Sequence, residues 1–145
     1  MTKYFIEIGT SDFDTLIPLA KKGWKGIFVE PVTYLIDNLE KIDGCIYENA
    51  AITNYNGETK DKVPCMTLDA LIDKHNVKSI DFLKIDIEGM EYVILDTYSW
   101  KVKPNLIKVE IIHWRKRILE HIQTKLAALG YLVYKEESDW YCILA

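Results

Sequence analysis

Short apolar runs alternate with amphipathic ones along the chain. Lys3 to Gly9 (KYFIEIG) predicts a buried strand closed by a glycine. Thr15 to Lys22 is helical in composition, with Gly23 as its cap. Pro18 is comfortable only in a helix's first turn, so this helix begins no earlier than about Asp14 or Thr15. Gly26 to Glu30 (GIFVE) predicts a second strand, stopped by Pro31. From Thr33 onward, Leu35, Leu39 and Ile42 recur at helical spacing. Cys45 to Thr53 predicts a third strand, with Asn56-Gly57 as the turn after it. Thr67 can cap a helix that buries Leu68, Leu71 and Ile72.

Ser79 to Ile87 (SIDFLKIDI) has the strongest strand character and ends at Glu88-Gly89. Glu91 to Asp96 predicts a short helix, and Leu106 to Ile112 (LIKVEII) another strand. The clearest helix is Arg115 to Leu129, with Ile118, Ile122 and Leu126 on one face, Leu119 and Leu129 beside it, and Gly130 at its end. Tyr131 to Lys135 and Trp140 to Leu144, joined by polar Glu136 to Asp139, predict an antiparallel hairpin. Strand and helix in alternation imply an α/β fold, a Rossmann-like doubly wound sheet, mostly parallel, with a C-terminal hairpin. With 145 residues it is expected to be one domain.

Ligands of such sheets sit beyond the carboxyl ends of the strands, where strand order reverses. The informative residues are therefore those at strand ends. Glu30 ends the second strand about twenty residues after Gly9, the spacing of an acid that accepts both hydroxyls of a ribose; otherwise it is a solvated strand end. Asn49-Ala50-Ala51 are small enough to let an adenine ring approach the backbone, although ordinary packing explains them equally well. Asp86, Glu88 and Glu91 crowd the end of the fourth strand, and Glu110 and His113 end the fifth. Clustered carboxylates repel one another unless a cation or a hydroxyl-bearing ligand lies among them. Helix N-terminal acids are the competing account for Glu88 and Glu91, but not for Asp86.

Charge decides between cofactors. A dinucleotide brings a pyrophosphate, which wants glycines, backbone N–H groups and positive charge. The chain has no GxGxxG and no Walker lysine motif, and Glu7, Asp12, Asp14, Asp86 and Glu88 make the crevice acidic. S-adenosylmethionine (SAM), with its sulfonium and ammonium, is the better fit. The overall charge of −4 offers no footprint for nucleic acid, and Arg115-Lys116-Arg117 reads as a solvated face. No apolar stretch approaches the roughly 20 residues of a membrane span, and no signal peptide is evident at MTKYFIEIG. Cys45, Cys65 and Cys142 are widely spaced, without a CxxC, so neither a disulfide framework nor a zinc site is expected. The expected compartment is the cytoplasm.

The motif KIDIEGMEYVIL, preceded by PCMTLDALI, resembles the signature half of the FkbM-like family of SAM-dependent methyltransferases. FVEP after the second strand and IKVEIIHW in the fifth are similar to that family's pattern too. The resemblance runs from Phe5 to the final hairpin. It implies a class I methyltransferase fold and O-methylation of hydroxyl groups on sugars or small natural products. It also implies that Glu7, Gly9, Thr10, Ser11 and Asp12 line the cofactor loop, with Glu30, Pro31, Asn49 and Ala50 around the nucleoside. Asp86 and Glu88 would lie by the methionine end and the substrate.

A hydroxyl acceptor must lose its proton, for which Asp86, Glu88, Glu110 and His113 are the candidates; among these residue types, histidine is the one that changes charge between about pH 5 and 8. One departure stands out. The second glycine of the family's loop pattern is Phe13 here, and the chain starts at its first strand with no substrate cap before it. A methyltransferase-like binding module without turnover is the alternative that these departures favour. A nicotinamide-dependent oxidoreductase is disfavoured by the missing phosphate-binding glycines.

Overall fold

The computed structural model describes residues 1–10 and 15–145. The expectations at Ser11, Asp12 and Phe13 therefore lie outside the described residues. In chain order the elements are β1 (Tyr4–Ile8), α1 (Ile17–Lys21), β2 (Lys25–Val29), α2 (Thr33–Asn38), β3 (Cys45–Glu48), β4 (Ala51–Ile52), β5 (Gly57–Glu58), β6 (Pro64–Met66), α3 (Leu68–Lys74), β7 (Phe82–Ile85), α4 (Glu91–Thr97), β8 (Leu106–Glu110), α5 (Lys116–Ala128), β9 (Tyr131–Glu136) and β10 (Asp139–Leu144).

The principal sheet has seven strands in the order β3-β2-β1-β7-β8-β10-β9. The first five are parallel, and β10 runs antiparallel to both β8 and β9. This is a doubly wound, mostly parallel sheet with a terminal antiparallel hairpin. After β1 the chain builds outward through β2 to β3, then returns to the other side of β1 to lay down β7. The resulting switch point lies between β1 and β7, where parallel sheets of this kind leave a crevice.

Central strands buried on both faces read as near-continuous apolar runs. Accordingly Phe5, Ile6, Ile27, Phe28, Val29 and Leu83 are fully buried. On one face α3, α4 and α5 cover Ile6, Ile27, Leu83 and Ile107, with Ile122 and Leu126 of α5 packed against them. On the other, α1 packs Leu16, Ile17 and Ala20 over Phe5 and Phe28. The Thr67 hydroxyl accepts the Ala70 N–H at 3.0 Å and caps α3, a contact of the kind worth about 1 kcal/mol. Pro18 lies in the first turn of α1, which begins at Ile17.

Three expectations need correction. The run from Cys45 to Thr53 is two strands, not one: β3 ends at Glu48, and β4 joins β6 and β5 in a separate three-stranded sheet. The cause is Asn49. With its amide nitrogen toward the carbonyls of Glu30 (3.0 Å) and Pro31 (3.1 Å) and its oxygen toward the Thr33 hydroxyl (2.9 Å), it ties the chain to the turn after β2. The helix from Thr33 stops at Asn38, where the backbone turns extended at Leu39 (ψ 138°) and the Lys41 ammonium binds the carbonyls of Ile36 and Leu39. Ile42 still packs, but from the following loop. The hairpin strands also extend to Glu136 and from Asp139, leaving only Glu137 and Ser138 as the turn.

Candidate cofactor and active site

Gly9 is where β1 meets its neighbours. Its N–H donates to the Val29 carbonyl at 2.9 Å, and the Asp86 N–H donates to the Ile8 carbonyl at 3.0 Å. Its φ is +84°, and any side chain there would collide with the Asp86 carbonyl. Only glycine lets the ends of β1 and β7 close to this distance.

Glu7, one residue pair earlier, is completely buried. It lies opposite Lys84 in the β1–β7 register, and the two charges meet at 3.2 Å. Its carboxylate also accepts the hydroxyls of Thr10 and Thr15, each at 2.7 Å, and the Leu16 N–H at 3.1 and 3.2 Å. Glu7 thus binds Thr10 directly after β1 and Thr15 and Leu16 directly before α1. It does not contribute open negative charge to the crevice, as the sequence had implied. The sequence did carry a signal for this pair: KYFIEI and FLKI each hold a single charge in an apolar strand, and the two are of opposite sign.

Glu30 is not a solvated strand end, being only 5% exposed. It accepts the Val32 N–H at 3.0 Å, and its own N–H continues the sheet to the Glu48 carbonyl. Next to it opens the main cavity at the strand ends, about 380 Å³ in volume. It is lined by Gly9, Pro31, Ala50, Ile87, Val93 and Ile94, with the more exposed Tyr55 and Met90. Ligand pockets span about 300–1,000 Å³ and are mostly apolar with a few placed polar groups, so this chamber has the size of a nucleoside site. Among the described residues the chamber is apolar, with its acids to one side, while Asp12 and Asp14 lie outside the described residues.

Those acids are Asp86, Glu91 and Glu110, whose carboxylate oxygens lie within 4.8 Å of one another. Asp86 and Glu110 also share a small recess with Lys84, Lys108 and Asp139. Burial raises the Asp86 carboxyl above the usual range; Glu91, Asp139 and Glu88 add to this, and Lys84 opposes it. Burial likewise raises Glu110, reinforced by Asp86, Glu91 and Asp139 and opposed by His113. Such a group of acids suits a positively charged ligand group. Glu88 is exposed, with a left-handed backbone (φ 62°). His113 is exposed as well, its side chain against Gly89.

Glu91 is the residue that the sequence reading undervalued. It is 1% exposed, and its carboxylate accepts the N–H groups of Ile87 (2.9 Å) and Gly89 (2.9 Å) and the Trp114 indole N–H at 3.3 Å. Asp139, brought in by the hairpin, had no local sequence signal.

Among solved structures, the chain is similar to a methyltransferase FkbM from Methylobacillus flagellatus KT, with a TM-score of 0.73 at 16% identity. That match covers 97% of this chain but 43% of the other, so the chain spans less than half its length. A precorrin-6y C5,15-methyltransferase from Geobacter metallireducens GS-15 aligns with a TM-score of 0.55 at 15% identity, over 98% of this chain and 79% of that one. At these identities the likeness is one of fold. No curated protein sequence matches. Residues 43–133, more than half the chain, match the model of the methyltransferase FkbM domain, running from the approach to β3 through the Asp86–Glu91 loop to β9. The chain belongs to the FkbM methyltransferase domain family.

Proposed function

We propose that the protein is a SAM-dependent O-methyltransferase whose acceptor is a hydroxyl of a sugar or small natural product. The observation that carries this reading is the 380 Å³ apolar chamber at the switch point, bounded by Gly9, Pro31 and Ala50, with the carboxylates of Asp86, Glu91 and Glu110 clustered to one side. The residues present fit the cofactor: apolar surface for adenine, a carboxylate at Glu30 for the ribose diol, and Asp86 for the cationic methionine end. A pyrophosphate would find no such complement beside Asp86, Glu91 and Glu110.

When bound, SAM supplies a methyl group made electrophilic by the sulfonium. The chain's own residues do the rest. Thr10, whose hydroxyl donates to Glu7, is fixed next to Gly9 at the end of β1. Holding two reactants in line can supply about 7–11 kcal/mol of the barrier. Removing the acceptor proton contributes about 10²–10⁴ in rate. Asp86 and Glu110 are the better bases, because carboxyls raised above the usual range hold a proton more readily. Glu88 and His113, exposed on the adjoining loops, are the alternatives.

We also infer a single domain working in the cytoplasm. The free thiols Cys45, Cys65 and Cys142 support that compartment. Among the described residues, no helix is long and apolar enough to cross a membrane. The test is a methyl-transfer assay with labelled SAM across a panel of sugars and phenolic or aliphatic alcohols. Transfer to one of these hydroxyl classes supports the proposal. Cofactor binding without transfer to any of them favours the binding module.

A further inference from the structure

We propose that Glu91 is a positioning residue that locks the loop after β7 to the loop after β8, making one rigid wall of the cleft. The inference rests on the methyltransferase reading for what that wall serves. The geometry stands apart from it.

The loop from Asp86 to Met90 leaves β7 through two consecutive left-handed residues, Glu88 at φ 62° and Gly89 at φ 118°. Such a turn is costly for glutamate, so something must hold it. The sheet reaches only the loop's first residue: β7 pairs with β8 as far as Ile85 opposite Val109, and on the β1 side the last bond is from the Asp86 N–H to the Ile8 carbonyl. Beyond that the carboxylate of Glu91 takes over, accepting the Ile87 and Gly89 N–H groups from inside the loop. The same oxygen that binds Gly89 also accepts from the indole of Trp114.

Trp114 belongs to the loop after β8. It is 6% exposed, held edge-on against Trp140 and Tyr92, and its backbone N–H closes a turn to the Ile111 carbonyl. One buried anion therefore joins two loops that are 23 residues apart in sequence. Asp86 and Glu88 ride on the first loop. His113 rides on the second and rests against Gly89, while Glu110 ends β8 just before that loop, paired with Asp139 of β10. Glu91 thus fixes the loops that carry Glu88 and His113 beside Asp86 and Glu110 at the strand ends. A neutral amide would not serve equally, because its NH₂ would face donors that need an acceptor.

Its charge acts on the same groups. Asp86 is faced by Lys84, Glu88, Glu91 and Asp139, and Glu110 by Asp86, Glu91, Asp139, His113 and the recess lysine Lys108. Within both sets Glu91 is a fixed anion that opposes ionisation.

The test uses the ligand-free full chain carrying Glu91→Gln. Carboxyl carbon NMR titrations of Asp86 and Glu110 should move to lower pH by about 0.5 or more, as expected for unit charges within 4.8 Å even at the dielectric of water. The Trp114 indole proton should shift as its charged acceptor is lost. Trp114→Phe, which removes only the bridge between the loops, should speed amide exchange at Ile87 and Gly89 by at least about tenfold. Unmoved titrations in Glu91→Gln, or unchanged exchange at Ile87 and Gly89 in Trp114→Phe, would overturn the inference. If Glu91→Gln does not fold, the Trp114→Phe exchange decides alone. A protein that never binds SAM yet shows these shifts would sink the methyltransferase reading and leave the lock standing.

Discussion

Glu7 and Lys84 face each other across β1 and β7 at 3.2 Å, an anion with no solvent exposure beside a cation whose side chain is 6% exposed. The pair sits directly beneath the switch point. A buried pair adds little net stability as a pair, because desolvation offsets its attraction, but breaking it strands a charge. Lys84→Met should therefore lower stability by about 3–5 kcal/mol, read from urea denaturation. Combining it with Glu7→Gln should recover much of that loss. An additive double variant would show that the two charges do not depend on each other.

Gly9→Ala should cost at least about 2 kcal/mol, from a left-handed φ and a collision with the Asp86 carbonyl. Because the collision pries β1 from β7, SAM binding should weaken in molecules that remain folded. Thermal melting and titration of the same sample check both. A Gly9→Ala protein as stable as the parent would mean that the close approach is not required.

Glu30→Gln keeps an oxygen for the Val32 N–H, so the turn into α2 should hold and the melting temperature should move little. The ribose hydroxyls, however, lose a charged acceptor worth about 1.5–3 kcal/mol per bond. Affinity should fall at least about tenfold. Unchanged affinity would assign Glu30 to the turn alone.

Asp86→Asn tests the acidic cluster through pH. Its carboxyl is raised in the folded state, so the fold binds that proton more tightly than the unfolded chain does. The stability it contributes is present below the ordinary carboxylate pKa and is lost as pH rises through the raised folded value. Asp86→Asn should therefore be as stable as the parent or slightly more so at neutral pH, with a flatter stability profile across that window. SAM affinity of the parent should rise over the same window as the carboxylate ionises, and the variant should lose that rise. Denaturation and SAM titration between about pH 4 and 8 follow both, and a variant that melts several degrees lower yet binds normally would make Asp86 structural.

The strand-helix alternation was legible because central parallel strands such as GIFVE, and helices such as Lys116–Ala128, bury enough apolar positions to mark themselves. The small sheet was not legible, because β4, β5 and β6 are too short to show a period. Strand ends were found by spacing, and Gly9, Glu30 and Asp86 do converge there. What the sequence could not tell is which way a carboxylate faces. Glu7 and Glu91 look like crevice acids in a string of letters, yet both are turned inward onto backbone N–H groups, and Lys84 neutralises the first. Asp139 reaches the cluster only because β10 inserts between β8 and β9.

The central claim is that the chamber beside Gly9 holds SAM. Calorimetric titration of the folded protein with S-adenosylhomocysteine, the demethylated product, tests it most directly. The account predicts a one-to-one isotherm with a micromolar to sub-millimolar dissociation constant, weakened by Glu30→Gln. No heat at millimolar ligand, with the protein verified as folded, would contradict it.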